Sequence, residues 1–99
     1  MLTRIPATGD LLLIRNPVAD LAQGSHQGHR TPLEASVSRD DGRTWSHRRL
    51  IEADTARTYC YVSATFVGDT VVLSYYVGRL EMPLECLRVA RLPLAWFYE

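Results

Sequence analysis

Hydrophobic and polar residues alternate along much of the chain with the period of two that is typical of β-strands. Apolar residues 11–14 predict a short buried strand. From Leu33 onward the alternation predicts a half-buried strand that places Ala35 and Val37 in the core, with polar residues on its other face, and residues 45–52 return as its partner. No segment of helical length carries an apolar stripe at helical spacing, although the C-terminal aromatic residues can form one turn. The chain is therefore predicted to be all-β.

The second half of the chain predicts another group of strands. These cover residues 59–67, 71–76 and 85–92, and the turn dipeptide Gly68-Asp69 joins the first two into a hairpin. The earlier residues give three strands as well. We therefore predict two successive small antiparallel sheets, each with edges that a neighbour would normally cover.

The spacing of the histidines and cysteines fits neither a metal site nor a disulfide framework. A polar loop over residues 17–30 contains His26 and His29, but no third ligand at suitable spacing accompanies them, so no metal is predicted. Cys60 and Cys86 are isolated. We expect both to be small buried apolar residues, with a cross-strand disulfide or a reactive thiol as the alternatives.

The most specific motif is the eight-residue run Ser-Arg-Asp-Asp-Gly-Arg-Thr-Trp, which predicts a tight hairpin turn. Gly42 can take the positive φ that such a turn needs, and the Asp40 carboxylate can accept backbone N–H groups that the turn leaves unpaired. Ser38 and Thr44 can tie the two strand ends together. Trp45 supplies an apolar anchor under the turn. The motif thus predicts a local structure, and it does not by itself predict a catalytic or binding function.

This motif resembles the Asp-box of the sialidase-type β-propellers, and the similarity extends over residues 10–98. The similar stretches around the box are residues 11–17, 29–38, 59–69, 73–76 and 91–96. The resemblance implies two four-stranded antiparallel blades of a six-bladed propeller in an incomplete ring, with one blade at about 1–55 and the next at about 56–99. The Asp-box also occurs in non-catalytic propellers, so it does not single out sialidases.

The resemblance also implies an active-site chemistry. In that family three arginines hold the substrate carboxylate, a tyrosine activated by a glutamate attacks the anomeric carbon, and an aspartate is the acid/base. Paired guanidinium N–H donors suit a carboxylate, and a neutral tyrosine avoids the repulsion that a carboxylate nucleophile would meet. On this resemblance Arg30 corresponds to the third arginine and Tyr61 to the nucleophile. The activating glutamate and the acid/base would lie in an earlier blade.

Each assignment has a simpler alternative. Arg30 can be a solvated loop residue, and Tyr61 can be a rim tyrosine, with Tyr59 as the aligned residue instead. Glu34 is close enough in sequence to suggest a base for Tyr61, but we expect it to be a solvated or inter-blade glutamate. A tyrosine without a base is not a nucleophile near neutral pH.

The expected function is a catalytically inert part of a sialidase-like exo-glycosidase that binds and hydrolyses terminal sialic-acid-type sugars. The alternative is a non-catalytic carbohydrate-binding Asp-box propeller assembled from several copies of the chain. The expected partners are an acidic sugar and either further blades or further copies, with no cofactor. Eleven basic and eleven acidic residues balance, so neither nucleic acid nor a membrane surface is an expected partner.

Overall fold

The computed structural model describes residues 1–17 and 30–99, which form two antiparallel β-sheets and one short C-terminal helix. The strands in chain order are β1 (Leu2–Arg4), β2 (Leu11–Arg15), β3 (Leu33–Ser38), β4 (Ser46–Glu52), β5 (Thr58–Val67), β6 (Thr70–Arg79) and β7 (Met82–Pro93). A 3₁₀ helix, Leu94–Tyr98, follows the last strand directly. The all-β prediction is confirmed, and the predicted C-terminal turn of helix is present.

The strands are arranged as two meanders. The first sheet has the order β1-β2-β3-β4 and the second the order β5-β6-β7, so each strand pairs with its neighbours in sequence. The sequence pattern predicted three strands in each sheet and the resemblance implied four; among the described residues the first sheet has four strands and the second has three. The two sheets close no ring within the described part of the chain.

Strand β1 is the element that the sequence pattern did not predict. It has only three residues, which is too short for a period of two to be visible. Its position is set by pairing, because Leu2 lies opposite Leu13 and Arg4 lies opposite Leu11. The long-range partner therefore determines this strand, and the local sequence does not.

The core lies between the two sheets. Its buried members are Ile5, Leu12, Ile14, Leu33, Ala35, Val37, Tyr59, Val71, Leu73, Tyr75, Val77 and Phe97. The predicted burial of Ala35 and Val37 is confirmed. Ser36 and Ser38, which the alternation placed on a polar face, are buried as well. Strand β3 therefore carries buried residues on both of its faces, and Glu34 alone among its residues is partly exposed.

The cysteines have different environments. Cys60 is buried on β5 as predicted, whereas Cys86 is exposed on β7, and both are free thiols. The expectation of burial was wrong for Cys86 because β7 is the last strand of its sheet and residues 82–89 are all exposed. Neither 1–17 nor 30–99 contains a helix with the length and apolar character needed to cross a bilayer.

Candidate functional site

Arg30 and Tyr61, which the sequence resemblance selected, lie side by side in the structure. The guanidinium carbon of Arg30 is 5.7 Å from the centre of the Tyr61 ring, within the range of a cation–π contact. The backbone is joined at the same place, because the N–H of Tyr59 donates to the carbonyl oxygen of Arg30 over 2.8 Å. The residues just before β3 are therefore fixed against the start of β5.

Tyr61 occupies a β-bulge. The register between β5 and β6 shifts between Cys60 and Ser63, and Tyr61 has a φ of 57°. This left-handed region is unfavourable for a bulky side chain, and such strain persists only where the surrounding structure imposes it. The bulge leaves the Tyr61 residue 66% exposed. Its ring meets the ring of Tyr76 edge-on, with centroids 6.3 Å apart at 89°.

An open cleft of about 530 Å³ lies beside this pair. Its lining includes Arg15, Asn16, Arg30, Tyr59 and Tyr61. None of the described residues that line it is acidic, whereas two are arginines. Guanidinium groups beside a cavity without carboxylates favour an anionic ligand, and carboxylates and phosphates match their paired donors.

Glu34 is neither solvated nor in this cleft. Its side chain is only 13% exposed, and its Oε1 lies 3.5 Å from Nε of Arg15 on the neighbouring strand. Of the two positions expected for Glu34, solvated or between blades, the solvated one is therefore wrong. The cause is the pairing of β2 with β3, which sets Arg15 directly opposite Glu34.

The Asp-box residues form a closed hydrogen-bond network. The Ser38 hydroxyl donates to Asp40 Oδ1 over 2.8 Å and accepts the Gly42 N–H over 2.7 Å. Asp40 Oδ1 also accepts the Thr44 N–H over 2.8 Å, and its Oδ2 accepts the Thr44 hydroxyl over 2.6 Å. These bonds, those from Thr44 first, lower the pKa of Asp40 to about 2. The carboxylate is thus engaged in holding the turn.

Gly42 and Trp45 complete that turn. Gly42 has a φ of 89°, and a side chain there would begin 3.7 Å from the indole of Trp45 and from the side chain of Leu11. The indole therefore lies beneath the turn, against the first sheet. The Asp-box offers packing and hydrogen bonding, and its described residues do not line the cleft of Arg30 and Tyr61.

A second polar cluster, which the sequence did not predict, joins the two sheets. Glu52 Oε2 at the end of β4 accepts the hydroxyl of Tyr75 over 2.6 Å and pairs with Arg88 on β7 at 2.5 Å. Burial, and then the bond to Glu52, raises the pKa of Tyr75. These partners are 23 and 36 residues from Glu52 in sequence, so no local spacing could reveal them. Because the groups satisfy one another, the cluster is a structural link between the sheets.

The loop histidines His26 and His29, for which no metal was predicted, lie outside the described residues. Within residues 1–17 and 30–99, no three His, Cys, Asp or Glu side chains lie close enough to hold a metal ion. In the comparisons with known proteins, no family model, curated protein or solved structure matches the chain. The geometry of the described residues thus defines the site: a cleft lined by two arginines, of which Arg15 is paired with Glu34, with an exposed, strained tyrosine at its edge.

Proposed function

We propose that the chain is part of a sialidase-like propeller and that its cleft binds the carboxylate of a terminal acidic sugar of the sialic-acid type. The observation that carries the proposal is the contact between the Arg30 guanidinium and the Tyr61 ring. Tyr61 has a φ of 57°, and its exposed phenol lies at the edge of the cleft. None of the described residues that line this cleft is acidic. The two residues come from elements 31 positions apart. Their proximity supports a shared site over two unrelated surface residues.

In this proposal Arg30 holds the sugar carboxylate and Tyr61 is the nucleophile. Its Oη would form a bond to the anomeric carbon while the glycosidic C–O bond breaks. The phenolic proton would pass to a base, and an acid would protonate the leaving oxygen. None of the described residues that line the cleft is acidic, and in this proposal these two groups come from further blades. The isolated chain is therefore expected to bind but not to hydrolyse.

Binding is tested with the α-methyl glycoside of N-acetylneuraminic acid, compared with its methyl ester, which has no charge. We expect the acid to bind the chain more tightly than the ester by about tenfold, because a charged, paired hydrogen bond is lost in the ester. Arg30→Gln should reduce this difference. Arg91→Gln, the same change on exposed strand β7, should retain it. Equal affinity for acid and ester in the wild-type chain would contradict the proposal.

Hydrolysis is tested separately with a fluorogenic sialoside. The isolated chain should release no fluorophore above the rate in buffer, since its described cleft lining supplies neither the base nor the acid. Turnover at an enzyme-like rate by the purified chain would show that the division of the site between this chain and further blades is wrong. Tyr61→Phe, which keeps the ring, then tells whether Tyr61 is the nucleophile.

A second candidate function is a carbohydrate-binding propeller formed by three copies of the chain. The outer face of the second sheet exposes Val67, Leu87 and Val89 by 59, 59 and 62%. The opposite side of the molecule, the outer face of the first sheet, exposes Leu2 and Leu50. Packing the outer face of the first sheet of one copy on the outer face of the second sheet of the next copy would repeat the sheet-on-sheet contact already present within the chain.

Light scattering in solution tests this second candidate. It predicts a stable trimer that Val89→Lys dissociates, because a charge would be buried in the contact. Leu80→Lys, at the turn between β6 and β7, is the matched control and should leave the trimer intact. A monomeric wild-type chain at all concentrations would exclude assembly from copies and leave the first proposal.

A further inference from the structure

We infer that Arg15 is a second anion-binding residue of the cleft and that it selects a carboxylate ligand over its neutral analogue. This inference rests on the proposed function, since the ligand it concerns is the acidic sugar of the same cleft. Neither the Asp-box nor the resemblance points to Arg15. The assignment comes from its position at the end of β2 and from the residue opposite it.

Arg15 is held in place by a mostly buried carboxylate. It lies opposite Glu34 in the pairing of β2 with β3, and its Nε is 3.5 Å from Glu34 Oε1. That oxygen is inaccessible and has no hydrogen-bond partner among the described residues. A buried carboxylate strongly favours a nearby positive charge. Glu34 therefore keeps the guanidinium of Arg15 near the first sheet.

The rest of the guanidinium remains available. Arg15 has an exposed side chain that lines the same cleft as Arg30. In the part of the chain that the structure describes, its contact with Glu34 is its one ion pair, and its terminal nitrogens donate to no acceptor. Arginine presents its N–H donors in a planar fork, so Nε can face one carboxylate while the terminal nitrogens face another.

Two arginines around one cleft have a consequence for selectivity. Each donor left without an acceptor on a neutral ligand costs affinity, whereas a carboxylate can accept from both guanidinium groups. Arg15 should therefore add to the preference for the acid that Arg30 already provides. Glu34 acts here through Arg15 and is a positioning residue.

The Nε–Hε signals of the arginines in ¹⁵N-labelled chain give the direct test, with the α-methyl glycoside of N-acetylneuraminic acid and its methyl ester as probes. We expect the signals of Arg15 and Arg30 both to shift with the acid and not with the ester. A shift at Arg30 alone would overturn this inference and keep the proposed function. A shift at Arg15 alone would support anion binding by Arg15 and overturn the binding role proposed for Arg30. No shift at either would overturn both.

Affinities of variants give the second measurement. Arg15→Gln should weaken binding of the acid about threefold and leave binding of the ester unchanged. Because this variant leaves Glu34 without its cation and can fail to fold, the double variant Arg15→Gln with Glu34→Gln removes both charges and should show the same loss. Arg15→Lys should recover part of the affinity. Unchanged affinity for the acid in the folded double variant would overturn the inference.

Discussion

The Asp-box turn and the bulge at Tyr61 both contain a residue other than glycine in the left-handed region, yet they are built in opposite ways. In the turn that residue is Asp41, with a φ of 58°; in the bulge it is Tyr61, with a φ of 57°. Aspartate tolerates this conformation well, whereas an aromatic residue does so rarely. The turn surrounds Asp41 with hydrogen bonds among Ser38, Asp40 and Thr44.

Among residues 1–17 and 30–99, no comparable hydrogen-bond network surrounds Tyr61 in the bulge. Tyr61 is contacted by the edge of one ring and by one guanidinium, and its side chain is exposed. The proposed contact of Tyr61 with a ligand would account for strain at a residue whose side chain contributes little to the core. On this proposal the two regions differ in purpose: the turn stabilises the fold, and the bulge presents a side chain.

Removing the Ser38 hydroxyl is expected to have the largest effect on stability. Ser38 is 1% exposed and accepts the Gly42 N–H, so Ser38→Ala leaves that donor unpaired within the turn. We expect a loss of about 1–3 kcal/mol in the free energy of unfolding, measured with denaturant. Ser63→Ala, at an exposed position of β5, should change it by less than about 0.5 kcal/mol. Equal effects of the two changes would show that the turn is not specially stabilising.

The Asp40 carboxylate predicts a pH dependence. Its pKa is lowered in the folded chain from 3.8 to about 2, so the unfolded chain binds its proton first as the pH falls. The stabilisation is complete above the unfolded pKa and is lost as the pH falls through the folded one. The wild-type chain should be more stable than Asp40→Asn at neutral pH, and this advantage should shrink between about pH 4 and pH 2. A constant advantage over that window would contradict the account.

The same carboxylate can be followed directly by ¹³C NMR. Because the bonds from Thr44 are the largest cause of the lowered pKa, Thr44→Ala should move the pKa of Asp40 back towards its usual value. An Asp40 pKa that does not respond to this change would mean that the hydrogen bonds within the turn do not set it.

Replacing Tyr61 should have the smallest effect on stability. Asparagine tolerates the left-handed region, so Tyr61→Asn relieves strain while it removes few contacts. We expect the free energy of unfolding to change by less than about 0.5 kcal/mol, while binding of the sugar acid is weakened because the ring beside the Arg30 guanidinium is lost. Val67→Asn, exposed on the same strand, should preserve binding. A marked loss of stability in Tyr61→Asn would mean that the bulge, like the turn, serves the fold.

Most of the fold could be predicted from the sequence because its strands alternate and its turns contain glycine. The hairpin at Gly68 and the turn at Gly42 are specified locally, and both glycines have positive φ. Strand β1 could not be predicted, since three residues acquire their role only through pairing with β2. The exposure of Cys86 also depends on a property of the sheet, namely which strand is last.

The candidate site was predictable only in part. The pair Arg30 and Tyr61 came from a resemblance, and no pattern along the chain indicated the bulge. That bulge arises because the pairing of β5 with β6 is shifted on either side of residues 61 and 62. The sequence could not identify Arg15 as an anion-binding residue either. Its proposed role depends on its ion pair with Glu34 on the neighbouring strand and on the cleft that it lines.

A crystal structure of the chain with the α-methyl glycoside of N-acetylneuraminic acid tests the central claim most directly. We predict that the sugar carboxylate lies about 2.7–2.9 Å from a guanidinium nitrogen of Arg30, with the Tyr61 phenol facing the anomeric carbon. A sugar bound away from this cleft, at the Asp-box turn or on an outer sheet face, would contradict the claim.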